Sequence, residues 1–510
     1  MRRLGRILTT AGTALVVLWS ALWFIGQSQI DSRLAHGLDV MRGQGLDVEV
    51  GVHRVSGFPF AFAAEFEDVV LEDPASGLST ALPALSARMG LDAPGELITD
   101  FPERFSVTLP LDPGLRAALP GLPPRLVLSV EATGLSVTVP VAADGAQPRA
   151  ASVQAERIRI TPLASGLGTD FDLRAEGFEA HGILGSVDAV AGGTVAGGTA
   201  AESLGQLLAG RLVLALELSE GTRRQTLDLA LTDATLSARS DARDLADLQT
   251  LLAGNPEGTG EIALRSGEMS VDMGASGLGP EDGSLTLSGG GFTGQFGIER
   301  GGIATEATLE TPEITLTPVS AAAPFRGSVA ADRLHSTVHL PLAAGHQMRA
   351  IRLQIEAEAL APDPAFWARL DPKGVLPRTP GDAHLEIAGT GRFTKPPAQT
   401  RPGEALPLEL GNLSLRTLEI TALGARTSGT GDVEFLQPVN EPTGTISLQF
   451  SGALALMRHL HAAGLITQEQ LQSLATLAAF YTRAGAGPDE LLTDIAFQPG
   501  DIRVNGDRIQ

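Results

Sequence analysis

The sequence predicts a mainly β protein: a single N-terminal transmembrane helix followed by a long, curved antiparallel β-sheet with a few short amphipathic helices. Three observations carry this expectation. From about Leu46 onward, apolar and polar residues alternate with a period of two. The 60 glycines and 32 prolines punctuate that alternation with turns. Stretches with a helical period are few and short.

The chain opens on the expected anchor. Arg2, Arg3 and Arg6 precede Ile7–Ile25, a run without charge. At ~1.5 Å per residue it spans roughly 28 Å, close to the ~30 Å hydrocarbon core of a bilayer. Ile7, Leu8, Leu15, Val16, Val17, Leu18, Leu22 and Ile25 make it aliphatic. Trp19, Trp23 and Phe24 crowd its outer end, where an aromatic belt is expected. The arginines then stay in the cytoplasm and the rest of the chain lies across the membrane. A cleaved signal peptide is the competing reading. The run exceeds the ~7–15 residues of a signal core, which favours an uncleaved anchor.

Gly57-Phe58-Pro59-Phe60 comes next and leads into Phe62–Leu71. Pro59 cannot donate to a ladder, so it suits a strand start or an edge. Phe60, Phe62, Ala64, Phe66 and Asp68 share one parity and should point to one side of a strand. Phe58, Phe60, Phe62 and Phe66 are therefore expected to fill one end of the sheet, with ligand contact as the second reading.

Later strands follow the same rule. Leu126, Leu128 and Val130 alternate with Ser129 and Glu131; Leu212–Leu218 alternates, turns at Glu220-Gly221 and resumes at Leu227, Leu229 and Leu231. Ile446, Leu448 and Phe450 alternate with Ser447 and Gln449. Such strands have one covered face and one wet face and are usually antiparallel.

Helical spacing appears at Ala201–Ala209, Asp241–Ala253 and Asp363–Leu370. The strongest pattern is C-terminal: Ala453–Ala463 stopped by Gly464, then Thr467-x-x-Gln470, a capping-box spelling. Leu471, Leu474, Ala478 and Tyr481 follow at helical spacing, a stripe expected to pack on the sheet. The expected organisation is a cytoplasmic tail (1–6), the anchor (7–25), a first β-rich region (26–255), a second (256–393), a Pro-rich linker or loop (394–407) and a C-terminal β unit with a helical pair (408–510).

Composition excludes several functions. Lys plus Arg is 37 against 59 for Asp plus Glu, a net charge of −22, which argues against nucleic acid as a partner. There is no cysteine, so disulfides, thiolate nucleophiles and zinc–thiolate sites are absent. Gly289–Gly294 spells G-x-G-x-x-G but leads into a strand-like run, whereas a dinucleotide loop must open a helix. His335 and His339 have helical ligand spacing, yet on a strand they stand ~13 Å apart, too far to share an ion. Glu356 and Glu358 form one acidic pair among many. The expectation is no enzyme, no metal and no cofactor.

The Arg-rich tail, the single apolar run, Gly57-Phe-Pro-Phe60, Gly374-Val-Leu-Pro377, Thr443–Phe450, the helical pair and Gly500-Asp-Ile-Arg-Val-Asn-Gly506 together resemble an uncharacterised family of Gram-negative inner-membrane proteins, the domain-of-unknown-function 2125 family. The layout is more distantly similar to AsmA-like proteins. That likeness implies a periplasmic β-rich body anchored at the inner membrane and associated with lipid movement and envelope integrity; the first family brings no catalytic residues.

The expected function is non-catalytic: a membrane-anchored periplasmic protein that binds or handles phospholipid in envelope maintenance. The alternative is a scaffold for other envelope proteins, its sheet faces covered by its own helices. Whether an apolar face stays uncovered discriminates the two.

Overall fold

A computed structural model describes residues 42–43, 45–56, 61–74, 77–90, 96–111, 123–140, 150–163, 169–183, 203–240, 260–276, 282–299, 302–318, 327–341, 347–395, 407–436 and 441–509 of the 510-residue chain. Within them the fold is one large antiparallel sheet of 28 strands with three short helices, α1 (Pro364–Leu370), α2 (Ala453–Ala463) and α3 (Gln468–Tyr481). The chain divides into two compact units, Met1–Leu216 and Glu217–Gln510. The expected anchor Ile7–Ile25, the arginines Arg2, Arg3 and Arg6, and Phe58 and Phe60 lie outside the described residues. No described helix is long and apolar enough to cross a membrane.

In the first unit, Asp47–Ser56 pairs with Ala61–Asp73, which pairs with Leu78–Gly90. Phe66 is buried with Ala64, Val69 and Leu82, and Val50, Leu71, Leu85, Phe101 and Phe105 pack around them. Phe62 stands on the same strand, paired with Met89. The shared parity ends earlier than the spacing suggests. Asp68 adopts φ +54°, and pairing passes from Glu67 to Val69 on both sides of it. The register is the same on either side of Asp68, so no residue is inserted; its left-handed backbone instead reverses the side-chain alternation, and Val69 takes the core-facing side while Asp68 stays exposed.

The neighbouring strands Ala150–Pro162 and Thr169–Ile183 carry a charge cluster, with Arg159 directly opposite Arg174. Asp172 accepts from both: Arg174 Nη2, and Arg159 Nη2 at 2.9 Å and Nε at 3.0 Å. The Arg174 hydrogen bond, reinforced by Arg159 against partial burial, holds the Asp172 carboxyl at about 2. Its folded value lies below its unfolded value of 3.8, so the stabilisation is fully present above about pH 4 and is lost as pH falls toward about 2. The urea midpoint of the wild-type chain is expected to drop over that window. Asp172→Asn should remove that component of the pH dependence; an unchanged profile would refute it.

Ala201–Ala209 is not a helix: Ser203–Glu220 is a strand. Leu204, Leu207 and Leu208 fit helical spacing, but Gly205 and Gly210 weaken a helix, and pairing with an adjacent strand outweighs local preference. Gly221 then takes φ +63° in the expected turn before the strand Arg223–Ser240. Asp241–Ala253 lies outside the described residues. The 394–407 segment joins the adjacent strands Gly381–Phe393 and Leu408–Ala422, and its ends meet where Thr394 N–H donates to the Pro407 carbonyl at 2.8 Å.

All three helices lie beyond strand ends in the second unit. α1 starts at Asp363, whose carboxylate caps the Phe366 N–H, with Pro364 at the first helical position. Trp367 of α1 is buried with Leu376 and Ala463, joined by Leu370, Leu423 and Leu460. α2 begins at Gly452 and stops at Gly464, both left-handed. α3 begins at Thr467 with the full reciprocal capping box to Gln470.

The expectation that α3 packs on the sheet is overturned. Leu471 and Ala478 are half-buried, whereas Leu474 and Tyr481 are exposed. The last turn of α3 is tied to the strands through the Tyr481 carbonyl, which accepts from Thr493 Oγ1 and Asn505 Nδ2, each at 2.9 Å. The helix continues a polypeptide that has already left the sheet, so Leu474, Leu477, Phe480 and Tyr481 stay exposed.

Candidate functional site

Residues directly opposite one another in neighbouring strands share a face, so the strand registers read the faces of the sheet row by row. In the second unit one row runs Ala238, Ile262, Phe296, Thr305, Val338, Leu353, Ile387, Leu415, Gly431, Ile446 and Ile495. The next row runs Leu236, Leu264, Gly294, Ala307, Ser336, Ile355, Leu385, Leu418, Gly429, Leu448 and Thr493. A third joins Phe292, Leu309, Leu334, Ala357, Ala383, Ile420, Thr427, Phe450 and Leu491. The second row lies beside the first and the third beside the second, and all three are mostly Ile, Leu, Val, Phe, Ala and Gly. This is one apolar face.

The opposite face is built from the alternate positions. Arg265, Thr293, Thr308, His335, Glu356, His384, Glu419, Ser428 and Gln449 form a single row across it. Its side chains pair with each other: His335 Nδ1 lies 2.9 Å from Thr308 Oγ1, Gln354 Nε2 donates to Glu356 at 2.9 Å, and Arg426 reaches Glu419 at 2.9 Å. His384 Nε2 stands 3.5 Å from Glu356. These groups are spread along ladders: Arg265, Glu419 and Gln449 are exposed, while His335, Glu356 and His384 are half-buried.

Among the described residues the apolar face is unevenly covered: Leu309 and Ala357 of the third row are buried, whereas other positions stay open. No residue of the first row is fully buried. Ile355 keeps 43 % of its surface exposed and Ile420 42 %, although both sit inside long strands. A side chain held between two packed layers would lose nearly all of its surface. Among the described residues, strands make extensive contacts with their sheet neighbours, and the helices with one another and with Gly327–Ala330 and Ala425–Leu436. With strands about 4.8 Å apart, the first row from Ile262 to Ile495 extends roughly 40 Å, and three rows cover on the order of 600 Å². Exposed apolar patches of roughly 300–600 Å² mark binding surfaces.

The helices bound this face at one end. Strands finish or start there at Pro362, Gly381, Ala422, Ala425 and Ser451, and α1 and α2 close over the turn at Leu423. Inside that end, Asp371 is fully buried. Burial opposes its ionisation, but the N–H groups of Leu376 and Val375 and the nearby Arg378 guanidinium outweigh it and keep the carboxyl below its usual range. Arg378 also stands 5.5 Å over the Trp367 ring. This knot organises the chain between α1 and Gly381 and presents no substrate-facing group.

A family model described as "Uncharacterized protein conserved in bacteria (DUF2125)" matches residues 23–305 and 292–509. The chain belongs to the DUF2125 family. No curated protein and no solved structure matches it. The distant AsmA-like resemblance is not among the matches.

Elsewhere in this DUF2125 chain, the sequence motifs fall as follows. Gly289–Gly294 closes one strand and opens another, Gly291–Glu299, so the loop has no helix N-terminus to offer a phosphate. His335 and His339 lie on the strand Arg333–Pro341. No group of three or more potential ligands is placed to hold a metal among the described residues. His461 Nδ1 is 3.0 Å from the Ile466 carbonyl, a contact that closes the α2–α3 turn. Ile355 and Ile420, the most exposed aliphatics of the face, escaped sequence reasoning; the only signal was the alternation around Glu356 and Glu358, which drew attention to the carboxylates instead.

Proposed function

We propose that this DUF2125 protein handles lipid without catalysing a reaction, sheltering acyl chains on the apolar face of a curved sheet while the polar face meets water. In this reading Ile7–Ile25 anchors the chain in the bacterial inner membrane, its N-terminus is cytoplasmic, and the bulk of the chain works in the periplasm in envelope maintenance. Phospholipid is the expected ligand. The scaffold alternative, in which envelope proteins are the partners, requires the chain's own helices to cover the apolar face.

The observation that supports lipid handling over the scaffold is the exposure of Ile355 and Ile420 on an apolar face, with α1–α3 gathered beyond the strand ends. Acyl chains are uniform along their length and need no polar partner, which fits a face of repeated Ile, Leu, Val and Phe.

The test places a photo-crosslinking residue at Ile355 or Ile420, with Gln354 and Glu419 on the polar face as controls, in the full chain in cells. Phospholipid adducts at the first pair and not at the second are expected. Removing Ile355 and Ile420 from an apolar contact costs about 1.5–3 kcal/mol each, so Ile355→Asp with Ile420→Asp should lower bound phospholipid by at least about tenfold. Both positions are exposed, so the sheet should keep its circular dichroism. Equal labelling of both faces, or stoichiometric protein adducts without lipid, would overturn the reading.

A further inference from the structure

The sheet of the second unit is creased along a line that crosses its strands. Arg223–Ser240 pairs with Met269–Ser276 before Asp233 and with Gly260–Ser266 after it. The same line parts Gly283–Gly289 from Gly291–Glu299, Gly302–Glu310 from Glu313–Pro318 and Gly327–Ala330 from Arg333–Pro341. It meets the strand Arg349–Pro362 at Ala359. On this line Asp233, Thr311 and Ala359 hold left-handed φ values of +48°, +45° and +55°. Such a residue reverses the alternation, so the side chain two places before it and the one after it share a side. The apolar positions on the two flanks of the crease are thereby kept on one side of the sheet.

Beyond the crease lies a second apolar wall. One row there runs Leu229, Val271, Leu287, Ile314 and Val329, and the next runs Leu227, Met273, Leu285 and Leu316. Burial falls away from the crease on both walls. Leu231, Ala234, Ser266, Leu309, Pro312 and Ala357, next to the crease, are buried. Met273 (41 %) and Leu316 (40 %) on the second wall, like Ile262 (39 %) and Ile355 on the first, stay exposed. Leu309 of the first wall also leans over Gly289 of the second, where a Cβ would come within 2.5 Å of Leu309 Cδ1. The apolar side is therefore the inside of the crease, a valley with a closed floor and open walls.

We propose that an acyl chain of a phospholipid lies lengthwise in this valley, across the strands and between both walls. The inference rests on the lipid reading of the apolar face and adds to it a direction and a second wall. From the strand of Asp233 to that of Ala359 the crease spans five strand spacings, about 24 Å, which exceeds the ~15 Å acyl depth of one bilayer leaflet. The strands that cross it between Gly260 and Pro341 are paired on both sides. A peptide strand laid in the valley could not join their ladders, and its N–H and C=O groups would stay unmatched. Of the six floor side chains, Ser266 alone can hydrogen-bond, and its Oγ is buried without a partner. An acyl chain asks for no such partner.

The test places a photo-crosslinking residue at Met273 or Leu316 in the full chain in cells, with Thr317, exposed on the polar side of the second wall, as the control. Phospholipid adducts are expected at Met273 and Leu316 and not at Thr317. When the purified full chain is given phospholipids with a photoreactive group at successive acyl carbons, the adducts should step from strand to strand along the crease. Met273→Glu with Leu316→Glu, both at exposed positions, should lower lipid labelling at Ile355 about tenfold while circular dichroism stays unchanged. Four results would each overturn the proposal: lipid on one wall alone, full labelling at Ile355 in the double variant, adducts that step along a single strand, or protein adducts in place of lipid at Met273 and Leu316. Lipid at Ile355 without lipid at Met273 and Leu316 would leave the broader lipid reading standing, whereas lipid at none of these positions would remove both.

Discussion

Trp367→Ala is expected to destabilise the second unit by about 3–5 kcal/mol, the usual cost of emptying a buried tryptophan site. Trp367 is the centre on which α1, the turn after it and α2 converge, through Leu370, Leu376, Leu423, Leu460 and Ala463. Its ring stands edge-on to Phe366 at 6.2 Å and beneath Arg378, contacts that alanine loses as well. Relaxation into the void is limited because Asp371 anchors the same turn by accepting from the Leu376 N–H at 2.7 Å. Chemical denaturation followed by circular dichroism measures the loss. Hydrogen exchange should show α2 losing protection first. A cost under about 1 kcal/mol would mean that the helices hold the strand ends without this knot.

The second large effect is expected at Gly444→Ala, about 2–6 kcal/mol. Gly444 has φ +149°, where an alanine is strained by roughly 1–3 kcal/mol. A Cβ there would also overlap the Asp432 carbonyl oxygen and come within 2.8 Å of the Val433 Cα. Both obstacles are backbone of the paired strand, so they yield only if the strand moves, at a further cost of about 1–3 kcal/mol. Gly464→Ala is the control: it shares a positive φ of +86°, but a Cβ there meets nothing within 4 Å. Its cost should be the strain alone. Equal costs at the two sites would remove the close-approach explanation.

Much of the fold could be read from local pattern. The capping box at Thr467 and Gln470, the stop at Gly464 and the helix after Asp363 depend on residues within one helical turn of each other, and all three stand as expected. His335 and His339 belong to a strand because their neighbours alternate, and the strand is there. The misreadings have long-range causes. Leu204, Leu207 and Leu208 suit a helix locally but lie in a strand of the sheet. Asp68 breaks the parity of Phe66 through a left-handed backbone that no spacing announces. Tyr481 and Leu474 look like core positions because periodicity marks an apolar arc without saying whether anything lies opposite it.

The candidate site divides in the same way. The alternation of Leu353 and Ile355 with Gln354 and Glu356 is local information. That Ile355 stands in one row with Leu264, Leu385 and Leu448 depends on a chain of pairings, each between residues distant in sequence. By itself the amino-acid sequence determined the period of two, and hence strands with one apolar and one polar face. Only the tertiary structure decided the registers that join those faces into a continuous surface, and the placement of α1–α3 at its end instead of over it. Side-chain alternation is dictated by backbone geometry residue by residue, whereas coverage is a competition among distant segments that no single stretch of sequence contains.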